Sequence, residues 1–341
     1  MFETLTGKTT SDALLLLAKQ SSHLGLVLVM NATLHNLVRE RLCPGGTWRL
    51  TDVMKSTLRV ALSRLPEKKV TDTEMRYPTT RAGMRAFLDV FFARHYFQTQ
   101  HSLLHYMTSI EFLELLASGR LQILDVGCGP AVVSLAITDM LAWILKYLNH
   151  LGSRPRSRLL KVTYVLNDTS GICLGTGQRM LLDYFSIARE HSREIVHSRT
   201  ISIGRPFPNN VNQLQRVKSN FGAYDIAAFS YVLSPLKEDM GVDNLVGGLL
   251  NVESLCNHNG RILIVQDRFQ AALVRRISKA IGVSSHKEEL NQEVYPSRNA
   301  NETYTYSYYS CLYAPTTAVP LRQSIARISH SYSRKKLLAL V

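Results

Sequence analysis

The chain has 341 residues, of which 45% are hydrophobic, 19% charged and 8% aromatic, a globular composition that excludes a disordered or low-complexity polymer. Its 40 Lys and Arg outweigh 26 Asp and Glu, and the formal net charge of +14 favours polyanionic partners, chiefly nucleic acid or an anionic membrane, or simply marks a basic soluble enzyme. The five cysteines, Cys43, Cys128, Cys173, Cys256 and Cys311, show no C-x-x-C spacing, which excludes the usual zinc and iron–sulfur patterns and points to reduced thiols in a cytoplasmic setting.

The start, Met1-Phe2-Glu3, has no basic region followed by an apolar run, so no secretory signal is expected. The apolar stretch Ala13–Met30 is broken by Lys19, Gln20, Ser21, Ser22 and His23, which makes it a buried helix and not a membrane span. Residues 1–118 read as a helical accessory region. Ser11 or Asp12 caps a first helix through Leu14–Leu17, and a second carries Leu34, Leu37, Val38 and Leu42. Thr51-Asp52 opens a third, which Pro66 closes; a fourth runs from Thr79 to about His95, and a fifth from about Ser109 to Ser118.

From Leu121 the pattern alternates between short apolar runs and helices. The runs are Leu121–Val126, Val162–Leu166, Ile195–Ile203, Tyr224–Ser230 and Arg261–Gln266. Helices span Ala131 to about Leu151, Thr169 to about Glu190 and about Asp243 to Cys256, with a turn at Asn257–Gly260. This alternation predicts an α/β, Rossmann-like doubly wound parallel sheet covered on both faces. The Tyr-rich segment Thr303–Tyr313 pairs antiparallel with a segment around Lys287–Tyr295 at the edge. Residues 119–316 form this second unit, and 317–341 a basic tail containing Arg322, Arg327, Arg334, Lys335 and Lys336.

The chemistry centres on Asp125-Val126-Gly127-Cys128-Gly129-Pro130, between the first strand and its helix. Glycines here permit a tight turn and close approach to a ligand, and Pro130 suits the first helical position. In doubly wound sheets such loops lie where ligands bind, at the strands' carboxyl ends. Val132 stands where a dinucleotide fingerprint needs its third glycine, and no Gly-Lys-Ser/Thr follows for a P-loop. Asp125 repels a phosphate but attracts the sulfonium and ammonium of S-adenosylmethionine. Asp168, ending the second strand, is placed to accept ribose hydroxyls; capping a helix beside Thr169 is the alternative. Ser230 and Tyr231 follow the fourth strand, facing the transfer centre, and no residue there stands out as a general base. His101 and His105 share a helix face at i, i+4, but no third ligand makes a metal site of them.

Asp125 to Pro130, Asp168 and Tyr224–Ser230 resemble the class I S-adenosylmethionine-dependent methyltransferases. That resemblance implies a seven-stranded sheet of order 3-2-1-4-5-7-6, with Gly127, Cys128, Gly129 and Pro130 along the methionine moiety and Asp168 at the ribose. Arg76-Tyr77-Pro78-Thr79-Thr80, Asn167-Asp168-Thr169-Ser170 and Ser230–Leu236 resemble, more weakly, the mitochondrial small-ribosomal-subunit methyltransferase-like family and its bacterial relatives. Pro235 stands where that family has an acidic residue, and its cysteine cluster is absent. The expected function is methyl transfer from S-adenosylmethionine to RNA. The basic helices, the Arg154–Arg158 loop and the basic tail would present RNA or a ribosomal particle. A small-molecule O- or N-methyltransferase and a non-catalytic, cofactor-binding assembly factor are the alternatives.

Overall fold

The computed structural model describes residues 23–150, 159–295 and 302–315. The predicted Ser11–Leu17 helix, the Arg154–Arg158 loop and the tail 317–341 lie outside the described residues.

Among the described residues six helices lead: α1 (His23–Leu42), α2 (Asp52–Ser63), α3 (Asp72–Arg76), α4 (Arg81–Val90), α5 (Phe92–Met107) and α6 (Ile110–Ala117). Their starts follow side-chain caps. Thr51, Thr80 and Ser109 accept from the amides of Met54, Gly83 and Phe112, and each such cap contributes about 1 kcal/mol. The helix expected from Thr79 to His95 is two helices, α4 and α5, meeting at Phe91. Gly119, at φ +73°, closes α6 and turns the chain into the sheet.

The sheet then builds as β1 (Arg120–Val126), α7 (Val132–His150), β2 (Leu160–Asn167), α8 (Gly171–Ile187), β3 (Ile195–Ile203), α9 (Val211–Phe221), β4 (Tyr224–Ser230), α10 (Leu233–Met240), α11 (Val242–Leu255), β5 (Cys256–Asp267), α12 (Ala271–Ala280), β6 (His286–Glu293) and β7 (Thr303–Tyr313). The seven strands lie in the order β3-β2-β1-β4-β5-β7-β6. The first five are parallel, and β7 runs antiparallel to both β5 and β6. This is the order expected from the class I resemblance. The expected turn Asn257–Gly260 is instead an irregular part of β5: Tyr224 pairs with Cys256, but Ile226 already pairs with Arg261. The intervening residues bulge, and a Cβ on Gly260 would sit 2.8 Å from the Asp225 carbonyl oxygen.

Side chains alternate across each strand, so the sheet feeds two cores. On one face Ile123, Ala228 and Val265 pack with Phe92, Phe97, Leu103, Phe112 and Ile137, so the N-terminal helices share one core with α7 and the sheet. On the other face Leu124, Phe229 and Ile264 pack with Phe207, Leu214 and Leu249. Among the described residues, Val132–Asn149 is the one helix segment long and apolar enough to cross a membrane, and 83% of it is buried within this fold. Val126 pairs with Asn167 on one side and Phe229 on the other, so β1, β2 and β4 end level with one another. The chain leaves β1 in opposite directions to reach these neighbours, which opens a crevice at their carboxyl ends.

Candidate functional site

A cavity of about 550 Å³ fills that crevice. Gly127, Cys128 and Gly129 form one wall, Asn167–Ser170 a second, Ser230–Val232 a third, and Gln266–Asp267 with Phe269 and Gln270 the far end. Helices α4 and α5 roof it with Phe87, Phe91, Arg94 and His95.

The glycine loop is shaped by backbone needs. Gly127 has φ +65°, and a Cβ there would lie 2.4 Å from Val232 Cγ2. Gly129 has φ +50°. The loop's amides are turned inward: Cys128 N donates to the Asn167 carbonyl at 3.0 Å, Gly129 N to Asp168 Oδ2 at 3.0 Å, and Ala131 N to the Cys128 carbonyl at 2.8 Å. Phosphate-binding glycine loops offer such amides to the ligand; this one uses three of them within the chain. Ala131 carries φ +59° and α7 begins only at Val132, so Pro130 is not at the first helical position. Pro130 is buried and sits behind the wall, against α8, where a Cβ on Gly177 would lie 3.1 Å from its carbonyl carbon.

Asp125 is also placed differently from the direct ion pair its sequence position evokes. It is 1% exposed and lies beneath the loop, not on the cavity wall. Its Oδ2 accepts from Ser134 N at 3.1 Å and Ser134 Oγ at 2.9 Å, while Oδ1 has no partner. Burial raises its pKa to about 7, against the opposing pull of the Ser134 bonds. Asp168 does line the cavity. Its Oδ1 accepts from Ser170 N at 2.8 Å, so the ligand-facing and capping readings coexist: the backbone bonds hold the carboxylate in place. Burial raises its pKa, and the bonds from Ser170 and Gly129 oppose the rise. The Cys128 thiol is driven upward by burial, and among charges most by Asp125, which removes it as a nucleophile.

Ser230 and Tyr231 end β4 on the same cavity. Tyr231 holds φ +59°, a costly conformation for a bulky residue, anchored by its amide bond to the Val265 carbonyl at 2.9 Å. Its ring stacks on His95 at 3.9 Å and 11°, and its hydroxyl donates to Gln98 Oε1. Burial, then the charge of Arg94, lowers the His95 pKa to about 3, so this imidazole is neutral at ordinary pH. The structure thus brings Gly127, Cys128, Gly129, Asp168, Ser230 and Tyr231 together.

Sequence reading missed the roof and the far end. Phe87, Phe91, Arg94 and His95 come from helices read only as accessory, and Gln266, Asp267 and Phe269 from the end of β5. None carries a motif; the one available signal was that β5, like β2 and β4, ends in a polar residue. His101 and His105 do not converge on a metal. His101 Nδ1 bonds Tyr308 Oη at 2.8 Å, His105 packs against His35, and no metal-holding cluster occurs among the described residues.

No family model and no curated protein matches the chain. Solved structures similar to it include precorrin-6y C5,15-methyltransferase from Geobacter metallireducens, at TM-score 0.35 and 10% identity over 60% of this chain and 87% of that one. Precorrin 8w decarboxylase from Methanobacterium thermoautotrophicum gives 0.33 and 15% over 60% and 87%. A TehB-like S-adenosylmethionine-dependent methyltransferase from Corynebacterium glutamicum gives 0.29 and 12% over 66% and 98%. At such values the likenesses bear no functional weight, and the strand order stands by itself.

Proposed function

We propose that the chain is an S-adenosylmethionine-dependent methyltransferase. The observation that carries this reading is the inward-turned glycine loop between two carboxylates. Three of its amides are satisfied within the protein, and the Asp168 carboxylate, with Asp125 partly ionised beneath the loop, makes the surroundings negative. A pyrophosphate would meet repulsion and few donors there. A cofactor with no phosphate and positive charge meets attraction. The gap at Gly127, which a Cβ would close onto Val232, leaves backbone free to face the ligand.

S-adenosylmethionine supplies an electrophilic methyl group when bound. Gly127, Cys128 and Gly129 would hold its methionine part, and Asp168 its ribose. Asp125, its pKa raised to about 7, would act from beneath the loop by holding the Ser134 amide and hydroxyl that shape the turn. Ser230 and Tyr231 would bound the transfer centre, where the roof of Phe87, Phe91 and His95 excludes water. No group on this wall is placed as a general base, so catalysis would rest on positioning.

The acceptor in this reading is RNA. The net charge of +14 and the arginines Arg76, Arg94 and Arg205 on the cavity wall support it. The enclosed aromatic roof favours the second reading, a small planar molecule. Incubation with radiolabelled S-adenosylmethionine and cell extract separates them: label in RNA, with binding that weakens steeply in salt, supports the first; label in the small-molecule fraction supports the second. Failure of S-adenosylmethionine to bind by calorimetry would overturn the methyltransferase reading.

A further inference from the structure

Buried polar groups in folded proteins almost always have a hydrogen-bond partner. Around the far end of the cavity three do not: Gln266 Nε2, Arg94 Nε and Ser230 Oγ are all buried and unpartnered. All three residues line the same cavity. They come from three separate elements, the ends of β5 and β4 and the first turn of α5, so no local accident of one loop explains their convergence. Gln266 is 1% exposed, which makes its unmet amide donor costly unless a ligand completes it.

The donors set the chemistry of that ligand. Gln266 Nε2 and Arg94 Nε can only donate, and the Ser230 hydroxyl can donate or accept. Arg94 is held in place by its guanidinium packing over the Tyr306 ring at 4.4 Å and the Phe91 ring at 5.6 Å. Asp267 adds a carboxylate to the same wall, anchored by Tyr306 Oη and by Phe269 N. Its negative charge offsets that of Arg94, so the end of the cavity as a whole is near neutral. Flanking aromatic rings, Phe91 and the half-stacked Tyr231–His95 pair, limit the occupant to a flat shape.

The geometry points to a specificity pocket for the methyl acceptor, in which Gln266 and Arg94 donate to a carbonyl oxygen on a planar ring. This rests on the methyltransferase reading and adds the acceptor's chemical class: a flat, neutral ring with a carbonyl group. A keto-bearing nucleobase and a small aromatic amide both present that chemistry.

The test begins with S-adenosylhomocysteine binding by calorimetry, which separates failure of the cofactor reading from failure of this one. The loaded protein is then titrated with uracil, benzamide and aniline, the last a flat ring with no carbonyl. At least one of the first two is expected to bind tenfold or more tightly than aniline, and which one does so distinguishes the nucleobase from the small-molecule source. Gln266→Leu and Arg94→Met should each reduce that preference to below about twofold while leaving S-adenosylhomocysteine affinity unchanged, which also shows that the variants are folded. Equal binding of all three probes to the wild-type protein, or a preference retained in both variants, overturns the proposal.

Discussion

The two halves of the cavity are built on opposite principles. At the glycine loop most polar groups are matched inside the chain: Asp168 accepts from Gly129 and Ser170, Cys128 N reaches Asn167, and Ser134 holds one oxygen of Asp125, whose other oxygen is unpartnered. At the far end Gln266, Arg94 and Ser230 wait with donors unmet. The first half is a pre-formed cradle, rigid before any ligand arrives. The second is complete only when a ligand joins it. A constant cofactor suits the first arrangement, and a selected acceptor suits the second, because an unmet buried donor penalises every occupant that lacks the matching acceptor.

Gly127→Ala attacks the cradle most directly. The new Cβ would meet Val232 at 2.4 Å and would have to hold φ +65°. Overpacking of this kind costs about 1–3 kcal/mol and the left-handed backbone about 1–2 more, so the melting temperature should fall and cofactor binding should vanish in calorimetry. Retention of full affinity would show that the loop yields, against the picture of a rigid half. Asp168→Ala removes the acceptor for the Gly129 and Ser170 amides as well as the proposed ribose partner. Cofactor affinity should drop at least tenfold, about 1.4 kcal/mol, with the fold retained by circular dichroism.

Tyr231→Phe probes the acceptor half. It deletes the hydroxyl that bonds Gln98 and leaves that buried amide with a second unmet atom. A stability loss of about 1–2 kcal/mol in urea is expected, with cofactor affinity changed by less than about twofold. Equal damage to affinity would show that the two halves are coupled.

The smallest effect is a change in pH dependence. Asp125 ionises near 3.8 when unfolded and near 7 when folded. Between those values the folded chain holds a proton that the unfolded chain has lost, so Asp125 makes stability fall as pH rises from about 4 to about 7. Asp225 behaves the same way, its pKa also raised by burial to about 7. Asp125→Asn should therefore make the slope of stability against pH more positive across that window in chemical denaturation, and an unchanged slope would place the charge of Asp125 in contact with solvent.

Much of the cradle was legible in the chain. Asp-x-Gly-x-Gly after an apolar run, Asp168 after the next, and Ser230-Tyr231 after the fourth locate the ends of three adjacent strands. Alternation and handed crossovers imply the parallel sheet, which is local in cause, whereas its strand order was implied only by the class I resemblance those residues carry. Pro130 shows the limit: its residue type fits a helix start, but the positive φ of Ala131 delays α7 by two residues, to Val132. Asp125 shows another, since alternation along β1 directs its side chain under the loop.

The sequence by itself determined where the strands end, because glycine conformation, capping and hydrophobic period act over a few residues. Only the tertiary structure decided what roofs the cavity and what lines its far end. Phe91, Arg94 and His95 meet Tyr231 and Gln266 across more than 130 residues of chain, and that meeting is set by how α4 and α5 pack their apolar faces on the sheet. Packing of this kind leaves no spacing signature, since the hydrophobic effect that drives it depends on area buried and not on position along the chain.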